Sequence, residues 1–216
     1  MSVTAGMVKA VVVKGGGAGV PKDMKCEEIY ACFDPKIAFG SHSAMQGSLS
    51  GHQAEHIIPT SVFHDMGRGG TKMAGCEGYS TGKATTWMVR DRQSANQEHK
   101  LLTDPMRQFS QANDLKGRNA PLSEWLDEYQ KGAENALKNA NPKRTVTDTS
   151  LDEDSLIKAA AECIRAEAAE SFANMNPPVA ATTPLRNSWP ATNDQRAAAA
   201  QAQRQAARGG AGSGAV

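Results

Sequence analysis

The chain is poor in aromatic residues and has no excess of either charge, and both features narrow its possible functions. Phenylalanine, tryptophan and tyrosine make up 5% of the 216 residues, so any core must rely on alanine, valine, isoleucine, leucine and methionine. The formal net charge of +1 argues against a protein that binds nucleic acid mainly through its overall charge. A small local basic groove remains compatible with this balance.

Long apolar runs and paired cysteine motifs are also lacking. No stretch approaches the roughly 20 apolar residues of a membrane-spanning helix, so we expect no membrane segment. The N-terminus lacks the charged and apolar regions of a secretory signal, so we expect no signal peptide. Without a Cys-x-x-Cys pair, a zinc knuckle is a poor fit. The simplest interpretation is free buried thiols, and a Cys26–Cys32 bridge is the alternative in an oxidising compartment.

Composition divides the chain into three parts. Residues 1–24 contain a glycine run without the Gly-Lys-Ser/Thr ending of a phosphate loop, which predicts a flexible arm or linker. Residues 25–175 are predicted to form the folded domain. Beyond them, residues 176–216 become rich in alanine, glutamine, arginine and glycine. This last part has too little apolar bulk to pack alone, which predicts a disordered, low-complexity tail.

Two strands and a long loop are predicted in the first half of the domain. Residues 51–63 combine β-branched residues with a proline, which favours a short strand followed by a turn. Residues 64–83 are rich in glycine and predict a long loop, a type of segment that often carries function. Residues 85–89 read as the second strand.

Helices are predicted in the second half of the domain. A helix can begin at Gln97, but Pro105 must either kink it or open a second segment capped by Asp104. A further helix is predicted to begin at Pro121, and another to span residues 152–175, because their apolar residues recur on one face.

The most informative stretch is Gly-His-Gln-Ala-Glu-His-Ile-Ile-Pro, residues 51–59. Within it, Glu55 and His56 place a carboxylate beside an imidazole. A carboxylate can hold a divalent cation while the neighbouring imidazole takes a proton from water, and metal-assisted phosphodiester hydrolysis needs this pairing. An ordinary surface salt pair near a strand end is the structural alternative.

Residues 55–59 resemble the Asp/His-His-x-x-Pro element of HNH/endonuclease VII nucleases, the ββα-metal or His-Me finger superfamily. Residues 91–93, Asp-Arg-Gln, and residues 98–104, Glu-His-Lys-Leu-Leu-Thr-Asp, resemble the second half found in bacterial polymorphic toxin nucleases. The resemblance covers about residues 50–110, under a third of the chain. It implies an α+β fold with a ββα-metal finger core, a long glycine-rich loop and additional C-terminal helices over residues 104–175.

The resemblance also implies a role for each matching residue. His56 would be the general base, while Glu55 and His99 would hold the cation, with His52 as a further candidate ligand. Candidates for orienting the base or supporting the ligands are Asp91, Gln93 and Thr103. Candidates for contacting phosphate are Arg68, Arg92 and Lys100.

The chain departs from the family pattern at three points. Glu55 stands where Asp or His is more frequent, and Thr103 stands where many members have a second helix histidine. The asparagine that usually orients the base has no clear counterpart, since Asp91, Gln93 and Asn96 compete for its place. The third protein ligand of the cation is therefore left open.

The resemblance further implies a cofactor, partners and a cellular location. The cofactor would be one divalent metal ion, magnesium first, with manganese, zinc or nickel as alternatives. The partners would be DNA, with RNA as the alternative substrate, and a cognate immunity protein. The protein would be an antibacterial toxin delivered by a secretion system, such as a type VI system, and would act in the target-cell cytoplasm. A different class of function, a non-catalytic protein-binding module built on residues 121–175, is the rival interpretation.

Overall fold

The computed structural model describes residues 20–21, 23–90 and 97–210, and over these ranges the protein is a mixture of α and β structure. The predicted arm over residues 1–24 lies almost entirely outside the described residues, as do Asp91, Arg92, Gln93 and Asn96. In chain order the elements are α1 (Cys26–Ala31), β1 (Phe33–Asp34), β2 (Phe39–Ser41), α2 (His42–Met45), β3 (His52–His56), a 3₁₀ turn (Thr60–Phe63), β4 (Thr85–Arg90), α3 (Glu98–Leu115), α4 (Leu122–Asn139), β5 (Thr145–Val146), α5 (Glu153–Ala173) and α6 (Asn193–Gly210).

A three-stranded antiparallel sheet carries the acid–histidine motif. β4 is its central strand, with β2 on one side and β3 on the other. Glu55 is paired with Trp87, and His56 with Thr86. The predicted strand is confirmed over residues 52–56, after which the buried Ile57 and the following residues form a turn. Strand alternation places Glu55 on one face and its neighbours on the other.

Helix α3 is a single helix that runs through Pro105, so the expected alternative of a second segment opening at Pro105 is not formed. A proline lacks a backbone N–H, so this position loses the hydrogen bond to the carbonyl four residues earlier. Leu102 and Met106 are both buried and lie on either side of the proline. We infer that packing of α3 against α4 keeps the helix continuous where local propensity favours a break.

Helices α4 and α5 confirm the predictions for the second half of the domain. α4 begins at Leu122 with Pro121 immediately before it, and its predicted apolar face is buried. α5 is preceded by Asp152, whose carboxylate accepts a hydrogen bond of 2.9 Å from the backbone N–H of Ser155. Among the described helices, none combines the length and the apolar character needed to cross a membrane.

The cysteines pair differently from the expected alternatives. Cys26 in α1 forms a disulfide with Cys163 in α5, across 137 residues of sequence. Cys32 and Cys76 are free and buried, as the simplest interpretation predicted. The Cys26–Cys32 bridge is therefore not formed. Cys32 instead lies just past the end of α1, with its thiol 3.2 Å from the carbonyl oxygen of Glu28.

Residues 176–192 pack against the domain, in contrast to the disordered tail expected from residue 176. Val179 and Leu185 are 1% and 0% exposed, so even a segment of low apolar content attaches to an existing core. The glycine-rich loop contacts this segment closely at Gly78. A Cβ atom there would lie 1.8 Å from the carbonyl oxygen of Pro177, so only glycine fits. Beyond this segment α6 is largely exposed over residues 193–206.

Candidate functional site

The fold brings Glu55 of β3 and His99 of α3 into direct contact. Nε2 of His99 lies 3.1 Å from Oε2 of Glu55, and the two side chains are 17% and 18% exposed. His99 is the second residue of α3, and α3 follows β4, the strand paired with β3. The sheet register and the start of the helix therefore place the acid and the imidazole opposite each other.

A cleft of about 380 Å³ opens over this pair. Five of the residues that the sequence singled out line it: Glu55, His56, Arg68, His99 and Thr103. Thr103 lies four residues after His99, which is the spacing that puts two side chains on the same face of a helix. The motif residues from separate parts of the chain thus share one concave surface.

His56, the last residue of β3, faces the glycine-rich loop and α2. Its Nε2 lies 3.3 Å from the carbonyl oxygen of Thr81, and its ring stacks on that of His42 with 4.1 Å between centroids. A carbonyl oxygen only accepts hydrogen bonds, so Nε2 carries the hydrogen of the neutral ring. Nδ1 is then the nitrogen with a free lone pair, which is the form that a general base requires.

The surroundings of His56 keep its ring neutral. Burial lowers the pKa of His56 to about 4, and the nearby positive charges of His42 and Arg68 act in the same direction. Burial also lowers the pKa of His42, again with a contribution from Arg68. The imidazole is therefore unprotonated at neutral pH and able to accept a proton.

The geometry of Glu55 and His99 is compatible with joint binding of a cation. Carboxylate oxygen and imidazole nitrogen ligands lie roughly 2.0–2.2 Å from ions such as zinc and magnesium. Two adjacent ligands of one ion are then roughly 3 Å apart, close to the 3.1 Å between Nε2 of His99 and Oε2 of Glu55. Without an ion, the same contact is a hydrogen bond in which Nε2 of His99 donates to the Glu55 carboxylate.

Among the residues that the structure describes, no three His, Cys, Asp or Glu side chains are grouped so that they could hold a metal ion. His52, the further candidate ligand, starts β3 and is directed by strand alternation to the face opposite Glu55. Its Nδ1 lies 3.0 Å from the carbonyl oxygen of Ser50. The structure therefore does not bring His52 to the Glu55–His99 pair.

The basic candidates separate into two groups. Arg68 is exposed and lines the cleft. Lys100 forms an ion pair with Asp104 on the exposed face of α3 and is not among the described residues that line the cleft. Arg107, which the sequence interpretation missed, lines the cleft one turn further along the helix. Arg68 and Arg107 are thus the basic side chains in this set that line the cleft.

A buried ion pair fixes the start of α3. Glu98, the residue before His99, is fully buried with Arg144. Nε and Nη2 of Arg144 donate to the two carboxylate oxygens of Glu98 at 2.6 and 2.9 Å. The backbone N–H of Arg90 donates to the same carboxylate at 2.8 Å, which links the end of β4 to the helix. His99 is therefore attached to a rigid position in the sheet.

A second buried contact lies between this ion pair and the cleft. Nε1 of Trp87 donates to the hydroxyl oxygen of Tyr129 at 2.6 Å, and Tyr129 lines the cleft together with Glu55. The guanidinium carbon of Arg144 lies 5.5 Å from the centroid of the Trp87 ring. No local pattern around Arg144 or Tyr129 indicated these roles, because both depend on contacts between distant segments.

No family model, curated protein or solved structure matches the chain.

Proposed function

We propose that the protein is a metal-dependent endonuclease, a DNase centred on Glu55, His56 and His99. The observation that carries the proposal is the 3.1 Å contact between His99 Nε2 and Glu55 Oε2 in a cleft that His56 also lines. The order of β3, glycine-rich loop, β4 and α3 is the order of a ββα-metal finger, and we propose that architecture for about residues 50–110.

In the proposed reaction His56 is the general base. Its free Nδ1 accepts the proton of the attacking water, and the carbonyl oxygen of Thr81 holds the ring through Nε2. Glu55 and His99 would hold one divalent cation, which when bound polarises the scissile phosphate and stabilises the leaving oxygen. Arg68 would supply positive charge to the phosphate from the rim of the cleft.

Magnesium is the ion that we propose first. Magnesium keeps several of its waters and is held by few protein groups, which suits a site with two protein ligands. The imidazole of His99 also suits manganese, zinc and nickel, so these ions are alternatives for the same site. Thr103, on the same helix face as His99, is placed to support a ligand through its hydroxyl group.

We further propose that the nuclease is an antibacterial toxin. The support is the resemblance of residues 55–59 and 98–104 to polymorphic toxin nucleases. In this proposal a secretion system, such as a type VI system, delivers the protein to the target-cell cytoplasm, where it cleaves DNA. A cognate immunity protein would neutralise it in the producing cell.

Plasmid cleavage tests the nuclease proposal. Wild-type protein with magnesium or manganese should degrade the plasmid, while EDTA, His56→Ala and His99→Ala should each abolish cleavage. His52→Ala is the matched control, because His52 lies at the other end of β3 and is not among the described residues that line the cleft, so this change should leave cleavage intact. If EDTA and both active-site substitutions leave cleavage unchanged, the metal nuclease proposal fails. RNA and branched DNA assayed in parallel identify the substrate.

A further inference from the structure

Trp189 differs from the other tryptophans of the chain. Trp87 and Trp125 are 0% exposed and belong to the core. Trp189 is only partly buried, and its side chain lines the same cleft as Glu55 and His99. Part of the Trp189 ring packs against the core, and the remainder is exposed at the cleft. An aromatic ring that is partly exposed in a cleft offers a surface on which a planar group can stack.

Both the N–H and the carbonyl group of the Trp189 backbone form hydrogen bonds with Ser110. Its N–H donates to Oγ of Ser110 at 3.0 Å, and Oγ of Ser110 donates to the Trp189 carbonyl oxygen at 3.1 Å. Ser110 itself is 0% exposed on α3. The preceding Ser188 shares a hydrogen bond of 2.5 Å with Ser61 in the 3₁₀ turn after β3. These bonds fix the backbone of Trp189, and its ring packs partly against the core, so the indole is a preorganised wall of the cleft.

Arg107 adds positive charge beside this ring. Its guanidinium carbon lies 5.9 Å from the centroid of the Trp189 ring, and both residues line the cleft. The nearest carboxylate contact of Arg107 is Oδ1 of Asp104 at 4.0 Å, and the two side chains are 49% and 37% exposed. A contact of this length in solvent leaves the guanidinium available for an anion.

We propose that Trp189 and Arg107 form a binding subsite for an unpaired nucleotide next to the scissile phosphate. The indole stacks on the base, and the guanidinium contacts the adjoining phosphate. Aromatic rings combined with arginine are the usual surface for single-stranded nucleic acid, because every base has a face to stack. A base within a duplex keeps that face covered, so the subsite selects single-stranded or locally opened DNA. This inference rests on the proposed nuclease function for the identity of the ligand.

Binding of a short single-stranded oligodeoxythymidine tests the subsite directly. The measurement is made in EDTA, so that no cleavage occurs, and it follows both tryptophan fluorescence and anisotropy of a labelled strand. Wild-type fluorescence should be quenched on binding. Trp189→Ala should weaken affinity about tenfold or more, since stacking of one base has about this effect. A duplex of the same length should bind wild type and Trp189→Ala equally.

Two further variants distinguish a loss of base stacking from a loss of folding stability. Trp189→Phe keeps a flat ring, so it should retain most of the affinity while the fluorescence change disappears. Arg107→Ala should weaken binding and lower the salt dependence of log affinity by about one unit, as expected for the loss of one phosphate contact. Melting temperatures of all variants are compared, and a weakened variant that melts like wild type supports a role in binding.

The outcomes distinguish this subsite from the nuclease proposal. If plasmid cleavage depends on His56 and His99 but Trp189→Ala binds the single strand like wild type, the subsite is wrong and the nuclease stands. If the single strand quenches Trp189 but no nucleic acid is cleaved, the subsite stands and the nuclease proposal fails. Unchanged quenching in Trp189→Phe would also overturn the subsite, because the signal would then come from another tryptophan.

Discussion

Glu98 and Arg144 form a completely buried ion pair at the start of the helix that carries His99. Arg144 also donates to the carbonyl oxygens of Pro35 and Met88, at 2.7 and 2.6 Å. One guanidinium thereby joins α3 to β4 and to the segment before β2. The pairing of β1 with β5 brings these segments together, since Asp34 lies opposite Thr145, the residue after Arg144.

Loss of Arg144 should therefore destabilise the protein strongly. Arg144→Ala leaves the Glu98 carboxylate buried without its partner, and breaking a buried pair in this way costs about 3–5 kcal/mol. The matched control is Arg165→Ala, which removes a pair with Asp127 whose side chains are 34% and 54% exposed. That change should cost about 1 kcal/mol or less. Urea denaturation measures both, and equal losses would contradict the assigned role of the buried pair.

The sequence predicted that Glu55, His56 and His99 lie close together, because the signals for these residues are local. Glu55 and His56 precede a proline that ends the strand, and His99 lies at the start of a helical pattern, so a short window contains each signal. The structure places all three at one cleft. The mixed α and β composition, the strands near Glu55 and Trp87, and the helix after Pro121 were predicted for the same reason.

Residues that act through long-range contacts could not be predicted in this way. Arg144 meets Glu98 only because the fold brings two distant segments together, and no spacing in the sequence marks that pairing. Cys26 likewise bonds to Cys163 rather than to the nearby Cys32. Trp189 was missed because average composition assigned its segment to a tail. The available signal for Trp189 was the presence of a large aromatic residue in a segment of otherwise low complexity.

The stability of the folded protein should depend on pH through the carboxyl group of Glu167 in α5. This carboxyl group is half-buried and close to Tyr30, whose hydroxyl group donates to Oε2 of Glu167 at 3.4 Å. Burial raises the pKa of Glu167 from 4.5 to about 7. When the pKa of a group is higher in the folded state than in the unfolded state, its full contribution to stability is present at pH values below the unfolded-state pKa. That contribution is lost as the pH rises through the folded-state pKa. The contribution of Glu167 should thus decline between about pH 4.5 and about pH 7.

Glu167→Gln isolates this contribution. The melting temperature of the variant, relative to wild type, should rise across the same pH window because the neutral amide has no proton to lose. Glu170→Gln, in the same helix, is the comparison variant, because it keeps the Glu167 carboxyl group and removes only a neighbouring charge that helps to raise its pKa. If the difference between Glu167→Gln and wild type does not vary with pH, the assigned burial of the Glu167 charge is wrong.

The Cys26–Cys163 disulfide should stabilise the fold against unfolding. It closes a loop across 137 residues, and chain entropy predicts a stabilisation of about 4–5 kcal/mol for a loop of this size. Reduction, or the double change Cys26→Ser and Cys163→Ser, should lower the midpoint of urea denaturation. Cys32→Ser is the control, since Cys32 is a free thiol, and its response to reductant should equal that of wild type. A wild-type midpoint that reductant does not change would contradict the bond.

Thr103 offers a gain-of-function test of the proposed cation site. It lines the cleft with His99 and lies four residues later on the same helix face. Thr103→His would therefore direct a second imidazole at the position where Glu55 and His99 meet. Imidazole suits zinc and nickel, whereas magnesium prefers oxygen. We expect the variant to bind zinc and nickel at least tenfold more tightly, with little change for magnesium, as measured by titration calorimetry.

Thr103→Val is the matched control for this gain, because valine keeps the shape of threonine and supplies no ligand. The double variant Thr103→His with His99→Ala should lose most of the improvement, since the new imidazole needs the original ligand beside it. Zinc affinity equal in Thr103→His and Thr103→Val would contradict a cation site between Glu55 and His99. A gain that survives the loss of His99 would instead show that the added imidazole binds zinc independently of that pair.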